Sequence, residues 1–118
     1  MVTPYLNIDL DKIEHNARTI VDLCTAHGIA VDGVTKGVCG RPEVAEAMLR
    51  GGVSGIADSR LINIHRLRQA GIASDLMLLR IPPLSRVSEV AATTTVSLNS
   101  DLRVLSSLSK AALDLGDR

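Results

Sequence analysis

The sequence predicts an α/β fold, a partial (β/α) barrel of parallel strands amounting to about half of the closed form. Three observations predict it. Short apolar or β-branched stretches alternate with segments whose apolar residues recur at helical spacing, the order that builds a parallel sheet with helical crossovers. The units repeat about every two dozen residues, the size of a compact barrel unit. The turn after the stretch at 31–35 reads TKGVCGRP, which has neither the GxGxxG nor the Walker spacing that an open, doubly wound sheet usually carries there. A closed barrel takes eight units and about 250 residues. The 118 residues supply four or five units, so residues 1–118 are expected to form one incomplete domain with an unpaired sheet edge.

Tyr5–Asp9 alternates weakly and reads as a short strand. Asp11 reads as the N-cap of a helix, with Glu14 three residues on completing a capping box. Ile13, Ala17, Ile20, Val21 and Cys24 mark its apolar stripe, and Gly28 closes it. Val31–Thr35 is the next strand. Pro42 suits the first position of a helix, where its missing N–H costs nothing. That helix carries Val44, Ala47 and Met48 and ends at Gly51-Gly52.

Val53–Ala57 is a further strand, with Asp58 and Ser59 as caps of a helix bearing Leu61, Ile64, Leu67 and Ala70. Asp75–Ile81 contains the run LMLL, the mark of a strand covered on both faces, and Pro82-Pro83 breaks it. A short helix follows over Ser85–Ala91. Thr94–Leu98 is β-branched and reads as a strand. Asn99 and Ser100 are placed to cap a last helix, whose stripe is Leu102, Leu105, Leu108, Ala112 and Leu115.

Composition narrows the function classes. Hydrophobic residues make up 46% and charged residues 22%, as in a folded soluble chain. With one Tyr and no Phe or Trp, the core must be aliphatic and base stacking on aromatics has no means. Thirteen basic residues balance thirteen acidic ones, so neither nucleic acid nor a membrane surface is an expected partner. Arg66 and Arg68 read as the solvated face of a helix, and His15, His27 and His65 as surface residues. The start MVTPYLNID lacks the features of a signal peptide, and the expected address is cytoplasmic. Cys24 and Cys39 form neither a CxxC nor a metal spacing.

The chemistry-bearing stretch is VDGVTKGVCGRP, residues 31–42. It places Lys36 where a buried strand gives way to its loop, the end at which α/β barrels keep their chemistry. An amine partly walled off from water loses proton affinity and can then form a Schiff base with an aldehyde. Gly37 and Gly40 are expected to leave room for a flat ring beside it. The plain alternative is a lysine that ends a strand and points into solvent. Arg80, after LMLL, suits a carboxylate or a phenolic oxygen by its planar fork, and an exposed arginine is its plain alternative. Capping accounts for Asp58, Ser59, Asn99 and Ser100, and Cys39 reads as a plain loop cysteine.

The runs NIDLDKIEHNAR, GVTKGVCGRPEVAEAML and GIADSRLINIHRLRQAGI, with LMLLRIP and VSLNSDL after them, resemble the front part of the alanine racemase-like family. They are most similar to its ornithine racemase-type branch. The resemblance implies half of a fold-type III barrel binding pyridoxal 5'-phosphate, with Lys36 as the Schiff-base residue; Arg80, by its position and its fork, is the further candidate for binding the cofactor. It implies that Tyr5–Asp9 lies outside the barrel proper. It also implies a small amino-acid substrate and a homo-oligomer, usually a dimer. An aromatic residue that classical relatives carry just after the lysine is replaced here by Cys39 and Gly40. The resemblance points to an ornithine/alanine-type racemase; a non-catalytic pyridoxal-phosphate-binding protein and an inactive truncated racemase are the alternatives.

Overall fold

Four parallel strands form one sheet in the order β1-β2-β3-β4, each joined to the next by a helical crossover. The strands are β1 (Asp32–Val34), β2 (Gly55–Asp58), β3 (Asp75–Leu78) and β4 (Val96–Ser97). The helices are α1 (Leu10–Thr25), α2 (Pro42–Arg50), α3 (Leu61–Gln69), α4 (Val87–Thr93) and α5 (Leu102–Asp114). The computed structural model describes residues 2–116; Met1, Asp117 and Arg118, which the expected domain includes, lie outside the described residues. Neighbours in sequence are neighbours in the sheet, the winding of a barrel and not of an open doubly wound sheet, whose strand order reverses.

The core lies between the sheet and one layer of helices. Ile56, Leu76 and Leu78 from the strands meet Ala45, Ile64, Leu67 and Val90 from the helices, all buried. The register sets Gly33 beside Ile56 and Ile56 beside Leu76 on that helix-facing side. The alternate row, Val34, Ala57, Met77 and Val96, occupies the other face. There Val34 is 44% exposed and Val96 40% exposed. LMLL is therefore covered fully on one face only: Leu76 and Leu78 are buried, Met77 and Leu79 half-buried.

Several expected elements shift. Tyr5–Asp9 is not a strand; it runs as an irregular segment that pairs with no other strand, and Tyr5 is 88% exposed. Asp9, not Asp11, caps α1 by accepting the Lys12 N–H at 3.1 Å, and Asp11 falls in the first turn. Glu14 then leaves the capping box. It accepts from Arg18 at 2.8 Å and from Arg50 at 2.9 Å, tying α1 to α2, and chiefly the Arg50 bond holds its carboxyl below the usual range.

At α5 the cap is Asp101, which accepts the Arg103 N–H at 2.9 Å, and neither Asn99 nor Ser100. The α5 stripe is turned from its expected position as well. Val104 and Ala111 are buried and Leu108 packs on the core, whereas Leu102, Leu105 and Leu115 are exposed. The cause is that α5 has its main packing against α4 alone, so it presents only the narrow row that α4 can cover. The helix expected at Ser85–Ala91 divides into a 3-10 turn, Leu84–Arg86, and α4. Arg68 is no solvated residue: its guanidinium donates to the carbonyls of Ile72 and Ser74 at 2.8 Å and of Thr93 at 3.1 Å. It fastens the α3–β3 loop and the end of α4. Among the described residues no helix is long and apolar enough to cross a membrane.

Candidate functional site

The carboxyl end of β1 is built from three residues with different roles. Thr35, fully buried, closes the strand; Lys36 starts a 3-10 turn, Lys36–Val38; Gly40 returns the chain toward α2. The Thr35 N–H reaches the Ala57 carbonyl at 3.0 Å, which continues the ladder with β2. The Thr35 carbonyl accepts from Val38 N–H at 3.0 Å and Gly40 N–H at 3.1 Å. Its hydroxyl donates to Asp58 Oδ2 at 2.8 Å. Every polar group of Thr35 is thus engaged, and Lys36 follows immediately.

Asp58 ends β2 with its side chain fully buried. Besides the Thr35 hydroxyl it accepts Asn63 Nδ2 at 2.9 Å and the Arg60 N–H at 3.0 Å, both on its Oδ1. Asp58 therefore serves the N-terminus of α3, as a cap would, but from inside the strand; the N-cap position is Arg60, whose own side chain makes no capping bond. Arg66, exposed on α3 as expected, donates to the Cys39 carbonyl, so α3 touches the Lys36 loop at a second point.

The two loop glycines differ. A Cβ on Gly37 would meet nothing within 4 Å, so the expected room exists there. A Cβ on Gly40 would lie 2.6 Å from Asn63 Cβ, so that space belongs to α3 and not to a ligand. Cys39 takes the left-handed conformation at φ 55° and is exposed.

Lys36 is exposed at the carboxyl end of the sheet, and the described residues do not wall its amine off from water. Arg80 is exposed beyond the carboxyl end of β3, two strands from β1, or about 10 Å by the spacing of strands. Among the described residues its guanidinium makes no ion pair. Arg80 lines a small cleft of about 190 Å³ with Ser59, Pro83 and Arg86, and Lys36 does not line it. Lys36 and Arg80 share one end of the sheet without sharing a cavity. Ser59 is half-buried beside Arg80, and Asn99 and Ser100 lie beyond β4. His65 is half-buried and bonds Glu89 across α3 and α4, so it is a structural link and not a loose surface group. The residues that sequence reasoning passed over are Thr35 and Asn63, together with the buried role of Asp58. The available signal was a threonine directly ahead of the strand-end lysine and an aspartate closing the next buried strand.

A parallel sheet wound in sequence order, with a lysine at the carboxyl end of its first strand, defines part of a (β/α) barrel. The chain belongs to the alanine racemase N-terminal domain family, whose pattern matches residues 8–118. It is 42% identical over 89 residues to lysine racemase of Thermotoga maritima, covering 75% of this chain and 25% of that protein. It is 35% identical over 112 residues to ornithine racemase of Acetoanaerobium sticklandii, covering 95% of this chain and 31% of that protein. Among solved structures, alanine racemase from E. faecalis superposes with a TM-score of 0.75 at 21% identity, over 87% of this chain and 28% of that one. D-threonine aldolase from Filomicrobium marinum gives 0.78 at 21% identity, over 98% of this chain and 32% of that one. The chain thus spans a quarter to a third of the length of the relatives it matches. Pyridoxal phosphate is the cofactor expected with this family membership.

Proposed function

We propose that these residues form the lysine-bearing part of a pyridoxal-phosphate-dependent amino-acid racemase, with Lys36 as the residue that carries the cofactor. The observation behind it is the exposed Lys36 amine at the carboxyl end of the first sheet strand, with open space at Gly37, in a chain of the alanine racemase N-terminal domain family. The residues present fit an aldehyde cofactor on chemical grounds. A reachable primary amine is the group that condenses with an aldehyde. Arg80 adds at the same end a guanidinium that makes no ion pair among the described residues, suited to an anionic oxygen.

When bound, the cofactor supplies the electron sink that stabilises negative charge on the substrate's α-carbon. The part of this chain is narrower. Lys36 holds the cofactor and moves a proton to or from the α-carbon on one face. Racemisation needs a second acid/base group on the opposite face, and in the whole protein that group comes from segments outside these residues. The substrate proposed is a small amino acid of the ornithine, lysine or alanine kind, which the activities named for the relatives support. A homo-oligomer in the cytoplasm goes with this reading.

The test mixes the purified protein with pyridoxal phosphate, reduces with borohydride and maps the labelled lysine, beside Lys36→Ala. The chain has three lysines, Lys12, Lys36 and Lys110, so the label has few places to go. A label concentrated on Lys36, with D/L interconversion by the protein containing this chain, is the expected result. Label spread evenly over the three would refute the assignment of Lys36. A specific label without interconversion would favour a protein that binds cofactor without turnover.

A further inference from the structure

Asp58 is an anomaly in energetic terms. A carboxyl with no exposed surface is costly to bury, and a well-packed apolar side chain in its place is often as stable or more so. Neither Lys nor Arg side chains bond to it; its partners are a hydroxyl, an amide and one backbone N–H. Those three donors belong to the residue before Lys36, to α3 and to the α3 entry. The carboxyl therefore joins β1, β2 and α3 at one point. Where a structure keeps a costly polar group that packing does not require, the retained quality is a unique geometry.

The neighbourhood shows what is being held. Thr35 has φ −103° and ψ 0°, the turn out of the strand, and its carbonyl receives both N–H groups that close the Lys36 turn. The bond to Asp58 favours the Thr35 rotamer that turns its hydroxyl toward β2. Gly40 seats against Asn63, and Asn63 is itself fixed by Asp58. Both ends of the Lys36–Gly40 loop are thereby referred to one buried carboxyl.

We propose that Asp58 is a positioning residue for Lys36, acting through the Thr35 hydroxyl on one side of the loop and through Asn63 on the other. The inference rests on the reading of Lys36 as the cofactor-bearing lysine for its functional meaning, while the mechanical link stands on the hydrogen bonds alone. It makes Thr35 and Asn63 part of the same device.

The experiment uses the full chain with Thr35→Val, Thr35→Ser and Asp58→Asn. One readout is amide hydrogen exchange at Val38 and Gly40, whose N–H groups end on the Thr35 carbonyl. The other is reductive labelling by pyridoxal phosphate, scored as the share on Lys36 against Lys12 and Lys110. Thr35→Val is expected to speed exchange at both amides about tenfold and to lower the Lys36 share about tenfold, with α1 and α5 exchange unchanged. Thr35→Ser keeps the hydroxyl and is expected to stay within about twofold of the parent. If Thr35→Val does not fold, Asp58→Asn takes its place: with its one oxygen kept on Asn63 and Arg60, its NH2 can only donate to the Thr35 oxygen, a neutral bond in place of a charge-assisted one, and a loss of about threefold is expected. Unchanged exchange and labelling in a folded Thr35→Val or Asp58→Asn, or an equal loss in Thr35→Ser, would overturn the proposal. A parent chain with no preference for Lys36 would sink the cofactor reading instead, and exchange at Val38 and Gly40 would still decide the mechanical link.

Discussion

Gly37 and Gly40 stand three positions apart in one loop, and replacing each by alanine should have opposite consequences. Gly40 has φ +62°, in the left-handed region, where a Cβ costs about 1–2 kcal/mol. Its new Cβ would also sit 2.6 Å from Asn63 Cβ and 3.1 Å from Asn63 Cα, the latter a backbone atom that moves only if α3 or the loop moves. Overpacking of that kind costs about 1–3 kcal/mol. The stabilisation that Gly→Ala draws from a stiffer unfolded chain requires a compatible native backbone, which Gly40 does not offer. The sum for Gly40→Ala is a loss of about 2–5 kcal/mol.

Gly37 is not among the positive-φ residues, and a Cβ there meets nothing within 4 Å. Gly37→Ala should therefore be neutral or stabilising by up to about 1 kcal/mol. Urea unfolding followed by circular dichroism measures both, with the slopes compared so that a midpoint shift reports stability. Gly40→Asn separates the two costs, because asparagine tolerates the left-handed region while keeping a Cβ. It should retain at least half of the loss. A Gly40→Ala protein destabilised by less than about 1 kcal/mol, or a Gly37→Ala protein harmed as much, would refute the account of the loop.

Glu89 is held down to a pKa of about 2, first by its bond from Arg86 and then by that from His65. A depressed carboxyl contributes stability above its unfolded value, near 4.5, and loses it as pH falls toward 2. Parent and Glu89→Gln should therefore differ in unfolding midpoint at pH 6, with the difference shrinking below pH 4.5 and vanishing only as pH falls through about 2; a difference that grows on acidification would show the sign to be wrong. Arg68→Met frees three carbonyls at 2.8–3.1 Å and should destabilise by about 2–4 kcal/mol, with Arg68→Lys restoring less than half because the fork is lost. Equal recovery by lysine in a melting experiment would count against that geometry. Gly37→Ala should also lower the share of pyridoxal-phosphate label on Lys36 while leaving the fold intact, and an unchanged share would mean that the cofactor does not use the space beside Gly37.

The alternation of strands and helices was legible because each crossover helix carries a buried face and each strand a short apolar run, and both periods survive in the structure. Boundaries were less so. A strand ends where its ladder partner does, and β4 keeps only Val96–Ser97 of the expected Thr94–Leu98. Caps misplaced by one or two residues, at Asp9 and Asp101, reflect sequences in which several polar residues can bond the same free N–H groups. The α5 stripe could not be read because which leucines are covered depends on the neighbour available. Lys36 was legible from its place at a strand end. Asp58 was not, since an aspartate between a strand and a helix looks like a cap, and only the three-dimensional register brings Thr35 against it.

What the described residues contain is uneven in a way that bears on function. The ties that hold Lys36 in place come from β1, β2 and α3, all within one continuous stretch of sequence. The open face of the sheet is the opposite case: Val34 and Val96 keep 44% and 40% of their surface exposed, and Leu98, just past β4, keeps 48%. Apolar side chains along a sheet face and past an edge strand need cover that the helix layer on the other side does not provide. Relatives about three times as long have the chain to supply such cover. The lysine corner and the closure of the barrel are thus separable. The first is organised locally by hydrogen bonds, and the second is not completed by the described residues. If Lys36 carries the cofactor as proposed, then in a longer protein containing these residues cofactor attachment and turnover should be lost at different points on shortening from the far end, with turnover lost first. A truncation series losing both together would show that the corner needs the closed barrel after all.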